Sequence, residues 1–105
     1  NNNPTDPVAD PYTYNIVMAP GKSVLHELIW EPSTSPIGAT VNYYVVPPQS
    51  APFVTTLTTK KVLITAPKYG YGEVYTWSVY AFDTYGNQSN TSVSGFINVY
   101  VNQEY

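Results

Sequence analysis

The sequence predicts an all-β domain, a seven-stranded antiparallel Greek-key sandwich, and three observations carry that prediction. Short runs rich in Val, Ile, Thr, Tyr, Phe and Trp recur along the chain, separated by breaks containing Pro, Gly or Asn. The longest run, Val74 to Asp83, alternates Tyr75, Trp77, Val79 and Ala81 with Thr76, Ser78, Tyr80 and Phe82, then stops at Gly86-Asn87. No segment shows the helical period, and seven short strands of this kind need two sheets to bury one face each.

The elements follow in order. Asn1 to Pro11 holds three Asn, three Pro and two Asp with almost nothing to bury, and reads as an N-terminal linker over 1–11, with the sandwich over 12–105. Tyr14 to Met18 is a first strand, ended by Ala19-Pro20-Gly21. Ser23 to Trp30 is a second, ended by Glu31-Pro32-Ser33, and Thr40 to Val46 a third, stopped by Pro47-Pro48. Phe53 to Leu57 and Lys61 to Thr65 are two shorter strands, the first with Pro47, Pro48 and Pro52 beside it as edge protection. Val74 to Asp83 and Phe96 to Asn102 complete the set.

Composition sets the function class. A chain of 105 residues with 43% hydrophobic content builds one domain with one core. Only 10% of residues are charged, the four basic ones are all Lys, and the net charge is -3. No basic patch exists to collect phosphates, which argues against nucleic acid and anionic membrane surfaces as partners. No apolar run reaches the length of a membrane span, and no signal peptide is present. The chain opens on Asn1-Asn2-Asn3-Pro4 without Met and is read as an excised or mature piece. Cysteine is absent, so disulfides, thiolate zinc sites and a cysteine nucleophile are excluded together. The weakly charged mixture of Thr, Asn, Tyr and Val is that of a secreted or cell-surface prokaryotic β-module.

Four motifs in order and spacing strengthen the fold assignment. They are Leu28-Ile29-Trp30-Glu31-Pro32, then Thr40 to Val46 with its Tyr43-Tyr44 pair, then Gly72-Glu73-Val74-Tyr75, then Tyr75 to Asn87 with Trp77, Val79, Ala81, Asp83 and Gly86. Together they resemble the fibronectin type III domain over roughly Thr13 to Val101. The resemblance implies that Trp30 fills the core, that Tyr44 points inward, and that Tyr75 forms the tyrosine corner before the sixth strand. The loop Ala66 to Gly72 is longer than that family's usual corner, so Tyr69 or Tyr71 is expected to replace its buried Leu. The chain has no Arg, so the Arg-Gly-Asp cell-attachment motif of some members does not carry over. In bacteria and archaea such domains accompany surface-layer, adhesive and glycan-degrading proteins, and the resemblance implies a like setting here.

Enzymatic readings fail for lack of parts. His26, the one histidine, neighbours Glu27 on a strand, where adjacent side chains point to opposite faces and cannot orient one another. His26 shares the inward parity of Leu28, which a bulge near Val24-Leu25 or a place at the strand end resolves. Gly70 and Gly72 precede a strand rather than a helix and make no phosphate loop. The chain is read as non-catalytic, with no cofactor. Asp6 and Asp10 are calcium candidates, set against the reading that they are solvated carboxylates before Pro. The sequons Asn87-Gln88-Ser89 and Asn90-Thr91-Ser92 make Asn87 and Asn90 glycosylation candidates, although both residue types also form turns.

The sharper signal is a face. Alternation places Trp30, Leu28, Tyr44, Val46, Tyr75, Trp77, Val79, Ile97, Val99 and Val101 inward. It leaves Tyr43, Val45, Thr76, Ser78, Tyr80, Phe82, Phe96, Asn98 and Tyr100 outward on the sheet of strands three, six and seven. Five of those nine are aromatic, where a solvated sheet face is mostly polar. Tyr43, Val45, Tyr80, Phe82, Phe96 and Tyr100 are therefore interface candidates. Three uses compete: cross-strand pairs that stabilise the sheet, docking of a neighbouring domain or subunit, and a platform for a polysaccharide.

Overall fold

Alternating strands bury one face each, and two sheets do so here against one another. In the computed structural model the described residues, 1–103, form eight strands and no helix. These are β1 (Val8–Ala9), β2 (Thr13–Met18), β3 (Ser23–Glu31), β4 (Asn42–Val46), β5 (Phe53–Thr55), β6 (Thr59–Thr65), β7 (Gly72–Phe82) and β8 (Val93–Val101). One sheet has the order β1-β3-β6, the other β2-β8-β7-β4-β5, and they form an immunoglobulin-like β-sandwich. Leu28 and Trp30 of β3 and Val62 and Ile64 of β6 meet Trp77, Val79 and Ala81 of β7 and Ile97, Val99 and Val101 of β8 in one core. The Trp30 and Trp77 rings lie 6.0 Å apart at its centre.

The N-terminal eleven residues are not a free linker. Val8 and Ala9 pair with Glu31 and Trp30, the Asp10 amide donates to Ile29 O at 3.1 Å, and Ala9 is buried in the core. Main-chain bonds hold this segment, and composition does not report them. Pro11 has no N–H to continue the ladder, and past it the chain crosses to the other sheet. There β2 runs parallel to β8, from Thr13 opposite Phe96 to Met18 opposite Val101. The sandwich thus has eight strands and one parallel pair, where seven antiparallel strands were expected.

The faces of β4 are the reverse of the expected ones. Tyr43 and Val45 are buried in the core, whereas Tyr44 is half-buried on the outer face and Val46 is exposed. The partner strand decides this: Tyr43 pairs with Ala81 and Val45 with Val79, both core residues, while Tyr44 pairs with Tyr80. The Tyr43 ring packs 5.8 Å from Trp30 and its hydroxyl accepts a bond from the Ser33 amide at 2.9 Å. Tyr43 and Val45 are therefore withdrawn as interface candidates.

Two further local expectations are corrected. Tyr69 and Tyr71 are both exposed, and Ala66 takes the buried position in that loop instead. His26 needs no bulge, since β3 pairs with β6 continuously from Ser23 to Ile29. It faces inward, half-buried, with the Tyr14 ring edge-on at 4.1 Å. Burial holds the His26 pKa below its ordinary value, against the opposing pull of Glu27. A bulge does occur in β8, where Trp77 pairs with Gly95 but Ser78 pairs with Val93. The Ser94 hydroxyl fills the gap by accepting the Val79 amide at 2.8 Å.

Candidate functional site

The outer face of the five-stranded sheet is built from alternate residues of its strands. β7 contributes Val74, Thr76, Ser78, Tyr80 and Phe82; across the registers lie Tyr44 on β4, Phe96, Asn98 and Tyr100 on β8, and Thr13, Asn15 and Val17 on β2. None of these residues carries a charge. Two zones differ in how their aromatic rings are used.

Toward the C-terminal end of β7, the rings pack on one another. Tyr44 and Tyr80 lie 5.2 Å apart and Tyr80 and Phe82 6.3 Å apart, so each half-covers its neighbour. Phe96 is likewise half-buried, with Tyr12 edge-on at 5.3 Å. Such cross-strand pairs add about 0.2–1 kcal/mol each. At the other end, Tyr100 is half-exposed and Tyr71 and Tyr69 are nearly free, at 85% and 87% exposure. Tyr71 and Tyr100 flank a groove of about 380 Å³ that Glu73, Val74 and Asn98 also line. Sequence reasoning passed over Tyr71 because the family resemblance assigned it, or Tyr69, to the core.

The loop after β7 is held by a carboxylate. Asp83 is buried and accepts bonds from the Tyr85 amide at 2.9 Å, the Asn87 amide at 3.0 Å and the Asn87 side chain at 2.8 Å. Burial alone would raise the Asp83 pKa, but these three bonds to the ionised form outweigh it and hold the carboxyl below its ordinary 3.8. The folded chain thus gives up this proton at lower pH than the unfolded chain does. The stability it contributes is complete above the unfolded pKa and is lost as pH falls through the folded one. Asp83→Asn is expected to lower stability at neutral pH and to flatten the acid limb. Urea unfolding of both proteins from pH 2 to 7 reads the difference, and identical pH profiles would refute the assignment.

That network also separates the two sequons. The Asn87 side-chain nitrogen donates to Asp83, and the Ser89 hydroxyl is buried, accepting the Ala81 amide at 2.8 Å. Asn87 is a turn residue with its amide in use. Asn90 is exposed, its backbone amide donating to Asp6 at 2.9 Å and its side chain to Asp6 at 3.4 Å. Asp6 is accordingly a tie between the N-terminal segment and this loop, beside a polar cleft of about 360 Å³ lined by Asn1, Asn3, Thr5, Gln88 and Asn90. Asp10 lies on the opposite side of β1, and no three His, Cys, Asp or Glu gather among the described residues. Asp6 and Asp10 are not brought into a common ligand set.

No protein-family model and no curated protein matches the chain. Among solved structures it is similar to the PKD domain of an M14-like peptidase from Thermoplasmatales archaeon SCGC AB-540-F20. The identity is 15%, the TM-score 0.49, and the match covers 98% of this chain and 100% of that one.

Proposed function

We propose that the chain is a non-catalytic docking and assembly module of a larger secreted or cell-surface protein. Its contact surface is the outer face of the five-stranded sheet at the end that carries Tyr44, Tyr80 and Phe82, reaching to Phe96 opposite Thr76. The observation behind this reading is the lack of charge on an aromatic-rich face in a protein of net charge -3. Another domain or copy meets no like-charge repulsion there, and Tyr and Phe are enriched at interface cores. The extracellular setting rests on composition and on the resemblance to fibronectin type III domains.

Sedimentation over a wide concentration range tests the reading. The wild-type chain is expected to self-associate, and the Tyr80→Ser/Phe82→Ser variant to stay monomeric while still unfolding cooperatively. A wild type that remains monomeric throughout, with a variant that is merely less stable, would assign the stacked rings to holding the sheet together.

A further inference from the structure

The groove at the opposite end of the same face has different properties. The loop Ala66 to Tyr71 is tied down along its length: the Ala66 amide donates to Lys22 O at 2.8 Å, Gly21 N to Pro67 O at 3.2 Å, and Val101 N to Tyr71 O at 2.8 Å. The Gln103 side chain adds a bond to Gly70 O. Exposure of Tyr69 and Tyr71 is therefore not the result of a loose backbone; the main chain places those rings in solvent. Gly72, paired with Tyr100 across the sheet, lines the groove between Tyr71 and Tyr100. A side chain there is disallowed: φ is +153° and a Cβ would run into Val99 O of the neighbouring strand. Asn98 lines the groove with its amide oriented by a 3.0 Å bond to Asn15.

We infer that this groove is a binding site for a neutral saccharide, one or two pyranose rings of a polysaccharide chain. The apolar C–H face of a pyranose stacks on an exposed tyrosine ring, and its equatorial hydroxyls take the side-chain amide of Asn98. No Lys lines the groove, which disfavours anionic ligands, and the pairing of Glu73 with core residue Val99 sets its carboxylate on the opposite face of the sheet, which disfavours cations of high charge. A volume of about 380 Å³ lies within the range of small-ligand sites. The groove is separate from the stacked rings of the docking face: Tyr80 lies about 20 Å from Val74 along β7 at ~3.3 Å per residue.

The test is co-sedimentation of the protein with insoluble cellulose, chitin, xylan and β-1,3-glucan, followed by calorimetry with the soluble oligosaccharide of whichever binds. Binding to at least one is expected, insensitive to salt and weakened about tenfold or more by Tyr71→Ala, as for loss of one ring anchor. Tyr71 is so exposed that its variant should fold normally; Asn98→Ala supplies a second, polar probe. Tyr80→Ser/Phe82→Ser should retain sugar binding, so failure of the docking reading and failure of this one remain distinct. Binding to none of the four glycans overturns the inference, and so does binding that Tyr71→Ala and Asn98→Ala leave unchanged. Salt-sensitive binding of poly-lysine in place of any glycan would overturn it too, giving the tyrosine rings a cation as ligand.

Discussion

Trp77→Ala and Trp30→Ala are each expected to lower the free energy of unfolding by ~3–5 kcal/mol, the usual loss when a large core aromatic is truncated. Both indoles are almost wholly buried, and they face each other 6.0 Å apart from opposite sheets. Removing either empties space between two sheets whose strands are fixed by hydrogen bonding, so collapse around the hole is limited. Because the rings share that space, the double variant should cost less than the sum of the singles. Urea denaturation gives the values. Near-wild-type stability of either variant would mean that the sheets do not pack as described.

Gly95→Ala should be nearly as damaging for the opposite reason, an excess of volume. A Cβ at this position would stand 2.7 Å from the Trp77 indole nitrogen and 2.7 Å from the Tyr12 carbonyl oxygen. Neither neighbour has room to retreat. The indole is locked in the core, and the Tyr12 oxygen accepts the Phe96 amide at 2.9 Å, the bond that opens the parallel β2–β8 pairing. A loss of about 3 kcal/mol, the upper end for overpacking, is expected. Shortening the indole with Trp77→Phe in the Gly95→Ala background should recover part of it. A Gly95→Ala protein as stable as wild type would show that β8 is less closely fitted to the Trp77 indole and to the start of β2 than this.

Much of the architecture was legible wherever apolar and polar residues alternate cleanly. In Val74 to Phe82 the polar Thr76 and Ser78 separate Trp77 and Val79 from the outer face, and parity alone assigns the core. Tyr43-Tyr44-Val45-Val46 carries no such contrast, because all four side chains are apolar enough to be buried. Period two then says that faces alternate without saying which is which. The family resemblance chose Tyr44 for the core; pairing with β7 chose Tyr43. The same limit hid the groove. Tyr71 is a large ring in a loop, and only the folded chain, with Tyr71 O held by the Val101 amide and Gly70 O by the Gln103 side chain, sets it in solvent.

By itself, then, the chain determined the fold class, the core tryptophans and the long sixth strand of the pattern with the Gly86-Asn87 turn after it. These follow from local periodicity and from residue chemistry, which neighbours in sequence carry. The docking of residues 4–10, the crossing of the chain to a parallel partner after Pro11, the bulge at Ser94 and the facing of β4 were decided only in three dimensions. Each depends on main-chain hydrogen bonds between residues distant in sequence, as from Thr5 to Thr34 or Asp10 to Ile29, and backbone amides are the same whatever side chain they bear.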